Sequence, residues 1–323
     1  MIIRNASSAN TNLMLEKMMN TQAKFYKTQE HAMALKKILS PSDDALGSTI
    51  VLKTGQSLAN IESFYINIDN LDGESSVLDT TYGQILEKLD RLYELSMSGA
   101  NGTNAAENTM QAIYDEVASI KVELVRLSNT QHNGNYIFSG NNVARETYTL
   151  EEDGSIVYHG TPSVAADGTP LNIPESEYAR KLEVSEGTFM AVNYAGDDIF
   201  GFYDNTTNPP TGRGMFKMLA DIETAMNPQN FNQDDIRAQI DKIEETISHI
   251  STYRTKNGVN MSRLELIKSS LEENKILLTQ QKSNAQDLDA VEAYSSLTRD
   301  YQAYQASLQI SSQMVNTSLL NYI

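Results

Sequence analysis

Helix breakers are spread so unevenly along this chain that they divide it by themselves. Five of the seven prolines (Pro162, Pro170, Pro174, Pro209, Pro210) and eight of the 17 glycines fall between Arg145 and Gly214. No proline lies between Ser42 and Ala144. From Met215 onward there is one proline, Pro228, and one glycine, Gly258. Proline removes a backbone donor, and glycine loses more entropy than other residues on entering a helix. The 323 residues therefore read as two helical arms around a broken middle. The middle is also acidic: Arg145 to Asp204 holds three basic and 12 acidic residues, net −9 of the chain's −17. Within it TYTL, SIVYHG and TFMAVNY alternate in the β manner between Gly, Asp and Pro, which predicts a small β-rich region.

The arms carry apolar residues at alternating steps of three and four. One stripe runs Met14, Met18, Thr21, Phe25, Thr28, Ala32, Leu35, Leu39, and a second Leu71, Ser75, Leu78, Tyr82, Ile85, Leu89, Leu92. Met110 to Leu127, Ile236 to Ile250 and Leu264 to Leu278 repeat the spacing, and Leu297, Tyr301, Tyr304, Leu308 close the chain. Such seams belong to coiled coils and long bundles. The fold class expected is mainly α: long antiparallel helical arms from both termini with a small inserted β-rich domain. The boundaries drawn are 1–40 and 286–323 for terminal helices, 41–144 and 213–285 for the arms, and 145–212 for the β-rich domain. The terminal stripes are poor in large apolar residues, so they need a partner helix to be stable. Ser40-Pro41-Ser42-Asp43 reads as an N-cap serine with proline at the first helical position. Gly99 to Thr103 reads as a turn, and Asn133-Gly134-Asn135 as the end of the third helix.

Little in the chain points to chemistry. There is no cysteine, hence no disulfide or thiolate site. His31, His132, His159 and His249 are scattered without metal-ligand spacing. Adjacent acids such as Asp43-Asp44 and Asp197-Asp198 do not face each other on a helix or strand, so they read as caps and turns. No phosphate-binding glycine loop or nucleophile elbow occurs. No enzyme activity, cofactor or metal is expected. The net charge disfavours nucleic acid and anionic lipid as partners, and no apolar stretch suits membrane insertion. The first residues, MIIRNASSANTNLMLEKMMN, lack the continuous apolar centre of a secretory signal.

Several segments resemble the flagellin-like family. ALKKILSPSDDALGSTI (34–50) resembles the motif that closes the first helix there, in which Ser-Gly-Lys-Arg leads to Asp-Asp. Leu35 stands at the family's glycine position, which predicts helix where relatives bend. Leu39-Ser40-Pro41-Ser42-Asp43-Asp44 and LSNTQHNGNYIFSGNN (127–142) are similar to the hook–filament junction branch, as are VYHG, AVNYAGDDIFG and the closing ASLQISSQMVNTSLLNYI. The resemblance implies a structural, extracellular flagellar subunit, exported by the flagellar type III apparatus without a cleaved signal. Implied partners are further copies in a ring-like homo-oligomer, a neighbouring hook-associated protein, flagellin, and a cytosolic export chaperone on the C-terminal segment. Residues expected at subunit interfaces are Met14, Met18, Phe25, Leu35, Leu297, Tyr301, Tyr304, Leu308, Met314, Leu319 and Leu320. A filament flagellin, a coiled-coil signalling protein and an enzyme grafted on the β-rich part stay open as alternatives.

Overall fold

The computed structural model describes residues 2–101, 107–165, 169, 171, 179–191, 194–207, 209–229 and 231–320. Helices α1 (Ile2–Ala34), α2 (Ala45–Ala100) and α3 (Glu107–Ser128) come first. Strands β1 (Gln131–His132), β2 (Asn135–Tyr136), β3 (Tyr148–Leu150), β4 (Ile156–Tyr158), β5 (Lys181–Ser185) and β6 (Thr188–Ala191) follow. Then come the one-turn helix α4 (Gly196–Ile199), strands β7 (Phe202–Asp204) and β8 (Thr211–Arg213), and helices α5 (Gly214–Met226), α6 (Gln233–Gln286) and α7 (Ala290–Leu320). Long helices from both ends with a small β region match the expected class. TYTL, SIVYHG and TFMAVNY supply β3, β4 and β6.

The chain divides into two compact units, residues 1–61 with 272–323, and residues 62–271. The central unit holds most of the core. Leu78, Tyr82, Ile85, Leu89 and Leu92 of α2 are at most 1% exposed. They cluster with Val117 and Leu124 of α3, Phe216 and Leu219 of α5, and Ile236, Ile243 and Ile250 of α6. The antiparallel sheet, ordered β3-β4-β7-β8, joins that same cluster through Tyr148 and Ile156, and Phe200, at the end of α4, joins it too. Packed side chains thus cross the boundary drawn at 144/145. Asn133 and Gly134, with φ of 51° and 81°, form the tight turn of the β1–β2 hairpin, the left-handed pair such hairpins require. The turn expected at Gly99–Thr103 lies partly outside the described residues; α2 runs to Ala100.

Two local expectations at the end of α1 are corrected. The helix does not run through Leu35: it stops at Ala34, and Leu35 adopts φ +50°. The Lys36 amide donates to the His31 carbonyl and the Leu35 amide to Ala32, so a Schellman C-cap forms with leucine where glycine is usual. Nor does Ser40 cap the next helix. α2 begins at Ala45, and the Asp44 carboxylate accepts the Leu46 amide at 3.0 Å, satisfying a free N–H of its first turn.

Candidate assembly surface

The unit made from the two chain ends is the place to look for function, because its apolar residues are distributed unlike those of an ordinary core. α1 and α7 pack antiparallel. The Phe25 ring stacks on Tyr304 at 5.7 Å and meets Tyr301 at 5.5 Å. Ser311 donates to the Met18 sulfur at 3.6 Å. One buried charge sits in this seam. Asp300 accepts from the Lys24 ammonium at 2.9 Å and the Thr28 hydroxyl at 2.8 Å. Burial pushes the Asp300 carboxyl up, but Lys24 and Thr28 outweigh it and hold the group below the usual carboxylate range.

A tight joint links α1 to α2. Asp43 accepts the Lys27 ammonium at 2.8 Å and the Leu39 and Ser40 amides at 3.0 and 2.9 Å. These bonds, Lys27 foremost, hold its carboxyl well below the usual range. His31 Nδ1 lies 2.8 Å from the Lys36 carbonyl. The backbone of the joint pairs with the α6–α7 connection: Lys37 donates to Gln286 at 2.8 Å and Leu288 to Leu35 at 2.9 Å.

The sequence-predicted interface residues divide three ways. Met14, Met18, Phe25, Leu297 and Tyr304 are part-buried, and Met18, Phe25 and Tyr304 make the contacts just described within the seam. Leu35, Tyr301 and Leu308 are exposed. The side chains of Met314, Leu319 and Leu320 lie outside the described ones. Sequence reasoning missed a second face. Leu15, Met19, Tyr26 and Met33 share one face of α1 and are more than half exposed; Leu13 elsewhere on α1, and Val291, Tyr294 and Ile310 on α7, are more than half exposed too. The signal was present as apolar doublets, a seam residue followed by an outward one: Met14-Leu15, Met18-Met19, Phe25-Tyr26, Ala32-Met33. Neighbours on a helix stand about 100° apart, so when one fills the seam the other faces outward.

Among the described residues, 24 large apolar side chains are exposed, and 17 of them belong to this terminal unit. Of 45 buried apolar residues it holds only four: Ala32, Ile38, Ile61 and Ala293. Exposed large apolar residues gathered in one unit to that degree point to an interaction site. The described residues contain no group of three or more His, Asp or Glu able to hold a metal ion, and no helix long and apolar enough to cross a membrane.

Comparison with known proteins fits this arrangement. The helical N-terminal region of bacterial flagellin matches residues 5–143, and its helical C-terminal region matches residues 240–323. The chain belongs to the flagellin family. The two matched regions carry the paired terminal helices and most of both arms, and the β strands from β3 to β8 fall between them. Flagellar hook-associated protein 3 of Escherichia coli is 23% identical over 314 residues, 93% of each chain. The flagellin of Bacillus subtilis is 26% identical over 322 residues, 97% of this chain and 95% of its own. A flagellar hook-associated protein structure from Vibrio parahaemolyticus shares the fold, with a TM-score of 0.62 and 20% identity, covering 76% of this chain and all of that one. The protein is a structural, extracellular component of the flagellum.

Proposed function

We propose that this flagellin-family chain is the subunit that joins the flagellar hook to the filament, and that its terminal unit is the assembly surface. The observation that supports it is the imbalance of apolar surface. A unit built from both chain ends buries four apolar residues and leaves 17 large ones in water. Fully burying one Leu, Ile, Val, Phe or Met side chain contributes roughly 1.5–3 kcal/mol. Packing against neighbours recovers a large stabilisation that the isolated unit forgoes. The α1–α7 seam, pinned by Asp300 and the Phe25–Tyr304 stack, presents that second face outward. Seam residues set the geometry and doublet residues bind. A ring-like homo-oligomer satisfies such a surface on every copy, and a cytosolic chaperone on the C-terminal segment would cover it before export. The chain's part is mechanical; it performs no catalysis.

The similar likeness to a whole flagellin gives a second reading, a bulk filament subunit. Deleting the gene separates the two. A junction subunit predicts cells without filaments that release flagellin into the medium. A filament subunit predicts hooks that keep their junction but bear no filament, with no flagellin released. A deletion strain that keeps its filaments and swims contradicts both.

A further inference from the structure

We infer that the groove between Lys36 and Lys282 docks a carboxylate from a second copy of this chain; this rests on the assembly role proposed above. The groove, about 400 Å3, lies wholly within the terminal unit. Lys36 follows the left-handed turn at Leu35, and its backbone is bridged to Asp287, which fixes the start of its side chain. Lys282 projects from the last turns of α6. Both side chains are part-buried, yet among the described residues neither ammonium has a carboxylate or other hydrogen-bond partner. Several other lysines of the fold are engaged: Lys24 with Asp300, Lys27 with Asp43, Lys88 with Glu123, Lys121 with Glu223, Lys268 with Asp69.

Two unpaired cations on one concave, partly desolvated wall, with no acid lining it, attract an anionic group. The space is real: a Cβ built on Gly55 would meet nothing within 4 Å. The wall also carries Leu52, 69% exposed, so the groove suits a carboxylate borne beside apolar side chains. A second copy provides that chemistry. The chain has 42 acidic against 25 basic residues, and its terminal unit exposes Val291 and Tyr294 on either side of the exposed Glu292.

The test uses flagellar particles isolated from cells and a water-soluble carbodiimide. The reagent activates a carboxylate, a neighbouring lysine amine displaces it as the urea, and an amide remains. The expected product is a species of twice the chain's 35.9 kDa mass in which Lys36 or Lys282 is joined to an Asp or Glu peptide of the same protein. The double variant Lys36→Gln, Lys282→Gln, with unchanged melting, should lose that species at least tenfold and incorporate severalfold less. Lys36→Arg with Lys282→Arg should lose the amide but keep incorporation. Links from these lysines to flagellin, to another flagellar protein or only within one chain would overturn the inference. So would wild-type incorporation of the Gln variant. If the chain is absent from the particles, the flagellar role itself fails; if present without those links, only the groove's assignment does.

Discussion

Single residues set two measurable properties of this chain. The first is Leu35, which ends α1 in a conformation that costs an ordinary residue about 1–2 kcal/mol. Glycine has no such cost but loses more freedom on folding, about 0.5–1 kcal/mol. Leu35→Gly should therefore leave stability level or raise it by up to about 1 kcal/mol, whereas Leu35→Val should lower it, because a β-branched residue tolerates positive φ least. Thermal unfolding of both variants followed by circular dichroism checks the order. The second is Glu74 on α2. Burial pushes its carboxyl up to about 7, with Arg180, 3.8 Å away and half exposed, opposing only weakly. A carboxyl whose folded value is raised binds more protons in the folded state between its unfolded value, 4.5, and about 7. Stability then falls as pH rises through that window and is fully retained below it. At about 1.4 kcal/mol per unit the shift corresponds to roughly 3 kcal/mol as an upper figure. Urea unfolding at pH 4.5 and pH 7.5 should show this loss in the parent and a clearly smaller one in Glu74→Gln.

Among the elements, the long helices are legible from apolar periodicity, while the short α5 goes unmarked by any stripe inside the arm drawn at 213–285. The α2 and α3 stripes are buried throughout, and Ile236, Ile243 and Ile250 of α6 join them with Ile240 and Ile247 part-buried, whereas the second α6 stripe buries Leu264 and Leu271 and leaves Asn274 exposed. Asn133-Gly134-Asn135 is expected to end the third helix, but α3 stops at Ser128 and Asn133-Gly134 instead turn the β1–β2 hairpin, because the short strands on either side pair with each other. The end of α1 is not legible, since leucine carries no sign that it will take glycine's conformation, and only the bonds to His31 and Ala32 reveal it. The assembly seam is half legible. A stripe such as Met14, Met18, Phe25 looks the same whether its partner is α7 of the same chain or a neighbour's helix, and sequence spacing does not distinguish them. Composition marks the β-rich region, yet not its attachment. Tyr148, Ile156 and Phe200 complete the helical core, and Tyr253 of α6 donates to the Asp198 carboxylate of α4. Replacing residues 145–212 by a short linker would expose Tyr82, Phe138 and Phe216, which are fully buried. The deletion should lower the melting temperature of the central unit by well over about 5 °C, as a loss of several kcal/mol implies. Asp300→Leu should act locally. It removes the charge that pairs α1 with α7, so amide exchange should speed up around Lys24 and Thr28 and stay unchanged in α3.

The whole molecule is uneven: a central unit with a closed core, and a terminal unit whose apolar residues mostly face water. Ordering a residue's backbone costs roughly 1–2 kcal/mol, and burial must offset it. In the central unit it does so within one chain. On the assembly role proposed above, the offset in the terminal unit is largely deferred until neighbours arrive, as in coupled folding and binding. Outward-face substitutions should therefore separate assembly from folding. Met33→Asp or Tyr26→Asp should leave the monomer's melting nearly unchanged and cut incorporation into flagella at least tenfold. The most direct test of this division is amide hydrogen exchange of α1 and α7, measured in the purified monomer and again in isolated flagella. The account predicts exchange in the monomer far faster between Leu13 and Ala34 and between Ala290 and Ile310 than at Ile85, Leu89 and Leu92, with strong protection gained on assembly. Terminal helices already as protected in the monomer as those α2 residues, and no more so in the flagellum, would contradict it.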